Sequence, residues 1–231
     1  MRRAAIFLLL LGVSPAAAWA RPPVVVELYT AQGCASCAAA NAYVGKLAEK
    51  PGVLPLTFSV DYWDYLGWPD SFARPEFALR QQAYVKRLDL REPYTPQVVI
   101  DGRVQAGGQQ TERIDKLLRE AASAPLHSPD MRFIGRARVD VGQGRAPRGG
   151  GEVWLIRYDR REQDVEVTKG DSRGQTVPHR NVVRQAVRLG AWRGRPTAYR
   201  LPKSPQKDLA SVVLLQAGEG GAILGVLEAK P

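Results

Sequence analysis

Beyond two methionine thioethers, two cysteines are all the sulfur chemistry this chain carries, and its two histidines, His127 and His179, lie far from them in sequence. Two cysteines cannot build a multi-disulfide scaffold, and without a second Cys pair or an HxxxH they cannot complete a four-ligand zinc site. Long apolar runs are also missing. The run Ala4 to Val13 is well short of the roughly 20 residues that a bilayer span needs, and no later segment is a better match. Internal repeats and low-complexity tracts are absent. Acid is scarce: 33 Lys+Arg against 23 Asp+Glu leave a formal charge of +10.

That excess is unevenly placed. Residues 21–125 carry 12 basic and 12 acidic side chains, whereas residues 126–231 carry 19 basic and 11 acidic. The arginines of the second half (Arg136, Arg138, Arg157, Arg184 and Arg188 among them) stand singly through apparent strands, without stacking aromatics beside them. This argues against nucleic acid and for a solvated basic face, suited to electrostatic association with anionic envelope surfaces.

The first 20 residues have the three parts of a secretory signal: Met1-Arg2-Arg3, the apolar run Ala4–Val13, and Ala18-Trp19-Ala20 before a cleavage point. The expected product is a periplasmic or secreted chain starting at Arg21. Arg2-Arg3 leaves a twin-arginine route open, but its flanks fit that signal poorly, so the general secretory route is preferred. The stretch Ala122 to Pro129 reads as a linker. It divides the mature chain into units of residues 21–125 and 126–231.

What is present is concentrated. Tyr29-Thr-Ala-Gln-Gly-Cys34-Ala-Ser-Cys37 places both cysteines within one four-residue span. A structural disulfide works by closing a long loop, and this one would enclose only Ala35 and Ser36. The spacing therefore points to a reversible dithiol or to half of a soft-metal site. Val24 to Tyr29 is a β-branched buried strand, and Ala40, Val44, Leu47 and Ala48 mark one face of a following helix. Cys34 is then expected where unpaired helix N–H groups lower a thiol pKa, with Cys37 one turn in. Leu54 to Val60 alternates as a strand with one buried face, its Pro55 placing it at a strand start or sheet edge. Phe77 to Leu88 is a helix, Pro96 opens a strand, Asp101-Gly102 turns a hairpin, and Ile114 to Ala121 is a third helix.

In that order the elements resemble the thioredoxin fold over residues 24–122. "YTAQGCASC" resembles a glutaredoxin-type active-site loop and "YTPQVVIDG" a cis-proline segment. The resemblance implies an attacking Cys34, a resolving Cys37 and a cis Pro96 facing them, with the Thr95 backbone as an edge for a substrate strand. Two departures are Gly33 where thioredoxins carry tryptophan, and no histidine between the cysteines. Together with "DYWDYLGWPDSFARPEF" (residues 61–77), "VWLIRYD" and "HRNVVR", these motifs also resemble an exported thioredoxin-like family known as domain of unknown function 1223.

The segment Asp61–Phe77 reads first as an aromatic plug over a sheet edge, with a wall beside the thiols as the other reading. After residue 126, short apolar segments recur between turns, which suggests a small β-sandwich. His179 there is expected to be structural, and His127 has no role. The expected fold is thus an α/β thioredoxin-like unit, a central mixed sheet flanked by helices, followed by a smaller all-β, sandwich-like unit. The leading function is an exported thiol–disulfide oxidoreductase without cofactor, acting on exported protein thiols and disulfides through a redox partner not yet known. The alternatives are a Cu(I) site on Cys34 and Cys37 or a non-catalytic binding module.

Overall fold

A computed structural model describes residues 21–125 and 127–229; the secretory signal expected over residues 1–20 lies outside the described residues. The first half runs β1 (Val24–Thr30), α1 (Cys37–Leu47), β2 (Val53–Ser59), α2 (Pro75–Arg87), β3 (Gln97–Ile100), β4 (Val104–Gly107) and α3 (Thr111–Ser123). Each of these was legible from periodicity. β1 is buried along its whole length, as its valine run requires. α2 starts with Pro75 after an extended Arg74, and carries Glu76 in its first turn and Lys86 and Arg87 in its last, all favourable to the helix dipole. Asp101 and Gly102 both take positive φ, 48° and 62°, and the Arg103 N–H donates to Ile100 O (3.0 Å), which closes the tight turn of this hairpin.

The second half supplies β5 (Met131–Ile134), β6 (Arg138–Val141), β7 (Gly151–Asp159), β8 (Gln163–Glu166), β9 (Thr176–His179), β10 (Val182–Trp192), β11 (Thr197–Arg200), β12 (Ala210–Ala217) and β13 (Ile223–Glu228). Four of these strands do not close on themselves. They extend the sheet of the first half, giving eight strands in the order β13-β12-β7-β10-β2-β1-β3-β4. This corrects the expectation of a self-contained sandwich after residue 126. A sandwich-like layer does exist, but only as a three-stranded sheet, β11-β6-β5, packed on the extension. Their shared core holds Val139, Val141, Val153, Leu155, Trp192 and Val213.

The physical reason lies at β2. Pro55 cannot donate to a neighbouring strand, and β10 pairs with β2 only where Val182 meets Thr57. Beside it the Thr57 N–H donates to Asn181 O (3.0 Å), and Asn181 Nδ2 donates to the Pro55 carbonyl (2.8 Å). β2 is therefore interior and buried on both faces, rather than half-exposed as its alternation suggested.

The long sheet curls around α2. One cluster collects Val25, Leu56, Val99, Ile156, Val212 and Ile223, from strands spread across the sheet, around Phe77 and Tyr84 of α2. The curl brings the ends together: Ile223 N–H donates to Asp101 O (2.8 Å). A Cβ on Gly102 would lie 2.5 Å from Gly221 O, so this turn needs glycine for its approach as well as its φ. α1 and α3 cover the other face with Val24, Val26, Leu28, Val98 and Ile100.

At the centre sits a charge. Glu27 of β1 is 0% exposed and accepts from Arg80 Nε (2.9 Å) and Nη2 (2.7 Å), Tyr29 Oη (2.8 Å) and Tyr84 Oη (2.9 Å). Arg80 also lies 5.0 Å from the Trp154 ring, and Tyr84 accepts from Gln216 Nε2 (3.0 Å). The ion pair thus bonds both halves of the chain. Removing one partner of such a buried pair typically costs about 3–5 kcal/mol, because the other charge is stranded. Arg80→Met should therefore lose that much in urea unfolding, and Glu27→Leu/Arg80→Met should recover part of it. A loss under about 1 kcal/mol for the single variant would show that the pair is not central.

Candidate functional site

Cys34 and Cys37 are joined in a disulfide at the junction of β1 and α1. The Cys34 N–H donates to Ala31 O (3.2 Å) and the Cys37 N–H to Cys34 O (2.9 Å), which tightens the loop into the helix. α1 begins at Cys37 with Ser36 as its N-cap, so Cys37 is the first helical residue and not one turn in. The bond between the sulfurs brings Cys34 to the same helix end. The Ser36 hydroxyl lies 3.5 Å from Cys34 Sγ, a donor for a thiolate that the sequence reading did not assign. Both cysteines are buried, at 1% and 0% exposure, while Ala35 between them faces solvent.

The Thr95–Pro96 peptide bond is cis, and Pro96 is buried. Pro96 packs beside Gly108, whose N–H donates to Pro96 O (2.8 Å). A Cβ at Gly108 would lie 2.8 Å from both Pro96 Cβ and Ala40 Cβ, so the proline meets α1 one turn beyond Cys37 through a glycine.

The aromatic segment lies over the cysteine loop. Because β10 covers β2, there is no sheet edge there to plug. Trp63, next to the short 3₁₀ turn Asp64–Leu66, packs on the cluster that holds both cysteines. Its indole N–H donates to Thr95 Oγ1 (2.7 Å). Trp68 Nε1 donates to Gln32 Oε1 (3.0 Å), Gln32 Nε2 to Ser71 Oγ (3.0 Å), and the Gln32 N–H to Asp70 Oδ2 (2.8 Å). Asp70 also accepts the Phe72 N–H (2.8 Å). Burial pushes the Asp70 carboxyl above its usual range, opposed by these hydrogen bonds. One segment is thus latched to the cysteine loop at Gln32 and to the proline segment at Thr95. Sequence reasoning missed Gln32 entirely; its only signal was a polar residue inside the cysteine loop.

The second half secures the latch. The Phe72 ring is 5.0 Å from the His179 ring, edge to face, and 4.2 Å from the Arg184 guanidinium. His179 is buried with Nδ1 against Val177 O (2.9 Å), a structural role as expected. Burial pushes its pKa down to about 4, against the upward pull of that bond, so it is neutral at pH 7. His127 is exposed and remote in sequence from these contacts.

A disulfide at a helix start can accept two electrons as a reversible dithiol. Among the described residues no group of three or more His, Cys, Asp or Glu is placed to hold a metal ion, so a Cu(I) ion would have only the two sulfurs. No helix of the described chain is long and apolar enough to cross a membrane.

Comparison with known proteins places the chain. Residues 25–216 match the family described as "Protein of unknown function (DUF1223)", and the chain belongs to that family. No curated protein matches it. The crystal structure of protein AGR_C_4864 from Agrobacterium tumefaciens is similar at 33% identity and a TM-score of 0.69, over 90% of this chain and 94% of that one. HBP35 of Porphyromonas gingivalis is similar in fold alone, at 13% identity and a TM-score of 0.57, over 90% of this chain and 74% of that one.

The depressed His179 sets a pH dependence. Its folded pKa lies below the unfolded value of 6.5, so the unfolded chain binds the proton first and stability falls as pH drops from 6.5 towards 4. The expected loss is roughly 2 kcal/mol at pH 5 relative to pH 7. Asp70, raised above its usual value by burial, acts in the opposite direction, because the folded chain binds its proton first. Urea unfolding of His179→Gln at pH 7 and pH 5 should show this step removed; an unchanged step would mean that another group carries it.

Proposed function

We propose that this member of the family is an exported thiol–disulfide oxidoreductase of thioredoxin-like fold, working in the periplasm or outside the cell. The observation that carries the reading is the placement of the Cys34–Cys37 bond. It joins residues three apart, so it restrains little of the unfolded chain, yet it stands at a helix start that favours a thiolate. The neighbourhood supports it: strand order β2-β1-β3-β4, α1 and α3 on one face and α2 on the other, and Thr95–Pro96 leading into β3.

In the reducing direction the Cys34 thiolate attacks one sulfur of a partner disulfide. The partner S–S bond breaks, a Cys34–partner mixed disulfide forms, and the partner's other sulfur leaves as a thiolate that takes up a proton. Cys37, deprotonated, then attacks Cys34 Sγ and releases the second partner thiolate. Two electrons pass to the partner, and the Cys34–Cys37 bond is restored. The reverse sequence oxidises a partner dithiol. Ser36 Oγ stabilises the Cys34 thiolate by hydrogen bonding, and the Thr95 backbone offers polar groups to an extended partner strand.

Access is the controlled step. With both sulfurs buried, a partner reaches Cys34 when the aromatic segment gives way and Trp63 releases Thr95. Trp63 stands over Gly33: a Cβ there would meet Cβ and O of Trp63 at 4.0 Å, ordinary van der Waals contact.

Reduction of the purified protein should leave its circular dichroism intact, and Cys37→Ser should trap mixed disulfides that Cys34→Ser does not form. Trp63→Ala should speed reduction of the disulfide by dithiothreitol severalfold. Global unfolding on reduction would assign the bond a structural role. Failure of Cys37→Ser to trap any protein or small disulfide would leave the copper or binding-module readings, which titration of the reduced protein with Cu(I) separates.

A further inference from the structure

A second site lies on elements that carry neither cysteine. A groove of about 1250 Å³ opens between β5 with its following turn, the loop 201–209, the start of β12 and the end of β13. Its lining includes Arg157 of β7, which differs from Arg80, the other buried arginine among the described residues. Arg80 is paired with Glu27, but Arg157, only 6% exposed, has no carboxylate within 4.0 Å among the described residues. Its guanidinium donates to Gln185 Oε1 (2.6 Å), Lys203 O (2.9 Å) and Pro202 O (2.6 Å), all neutral acceptors. Those bonds leave two of an arginine's five N–H donors uncommitted.

A guanidinium removed from water without a counter-ion is costly, and the neutral acceptors offset only part of that cost. Desolvation lowers the Arg157 pKa, in keeping with a cation that lacks its anion. Around it the groove has basic rims at Arg132, Arg136, Lys203 and Lys207, against acidic Asp208 and Glu228. Beside it the wall is apolar, with half-buried Met131, Phe133 and Leu227. The volume is above the roughly 300–1,000 Å³ of ordinary small-molecule sites, so a ligand with more than a head group has room.

We propose that this groove binds an amphipathic anion, with a carboxylate or phosphate head on Arg157 and an apolar chain along Met131, Phe133 and Leu227. One buried cation beside an apolar wall suits one head and one tail. An acidic peptide would instead use the exposed rim cations and leave Arg157 unmet. The binding is independent of the thiol chemistry, since none of the groove's lining comes from the cysteine loop, the aromatic segment or Thr95–Pro96.

Calorimetry on residues 21–231 with laurate, lauryl phosphate, methyl laurate and an oligoglutamate peptide, below the micelle concentrations, tests this. Laurate, lauryl phosphate or both should bind at least about tenfold more tightly than the uncharged ester, and whichever arm is tighter identifies the head. Arg157→Met should reduce the anions to the ester's affinity, whereas Arg157→Lys, which keeps the cation, should keep the preference. Cys34→Ser should bind like the unaltered chain, so failure of the redox reading leaves this result intact. Should Arg157→Met not fold, thermal unfolding of the unaltered chain decides, since laurate should raise its Tm and methyl laurate should not. Equal affinity for acid and ester, an Arg157→Met variant that keeps the preference, or binding of oligoglutamate with no binding of either anion overturns the proposal.

Discussion

The buried Glu27–Arg80 pair is the constraint around which this molecule is arranged. A carboxylate in the middle of a valine-rich central strand must meet a cation, and α2 has to lie against that strand to bring one. Once α2 is there, the apolar remainder of its surface needs covering. The first half has no further sheet to do so, and β7, β10, β12 and β13 wrap around it instead. Trp154 over the guanidinium and Gln216 on Tyr84 are the polar and aromatic signs of that wrapping. The halves share one core, and the buried pair, whose hydrogen bonds all come from the first half, is closed over by side chains of the second.

The same pair sets the frame of the candidate site. β1 carries Glu27 and ends at the cysteine loop, and α2 carries Arg80 and starts where the aromatic segment ends. Holding β1 against α2 fixes the two ends between which residues 61–74 must pass. The segment then crosses the cysteines, bonded to Gln32 on one side and Thr95 on the other. Phe72, between His179 and Arg184, adds a third anchor from strands far along the chain. The aromatic segment is therefore held by three other stretches of sequence, and the buried sulfurs are a property of the whole fold.

Arg80 and Arg157, both buried, show how context separates stability from binding. Both sit on sheet or helix positions facing the interior, and neither was distinguishable from a solvated arginine by its neighbours in sequence. Arg80 has a charged partner and serves the core. Arg157 has only neutral oxygens around it and lies in the wall of a groove.

Local chemistry determined much of this protein. The valine run, the 3.6-residue periods, Pro75, the Asp-Gly turn and the short cysteine span each act over a few residues, so the order from β1 to α3 and the positions of Cys34, Cys37, Thr95 and Pro96 were readable from sequence. The strands β7, β10, β12 and β13 were readable too, as short apolar runs. Their partners were not, because a strand's pattern states that a face is buried without stating against what. Only the tertiary structure decided that β10 joins β2 where Pro55 leaves the ladder incomplete, which merged an expected second unit into one sheet. It alone also decided that Glu27 meets Arg80 across 53 positions of sequence and that Gln32 anchors the aromatic segment, since contacts made at such separations leave no periodic trace in the chain.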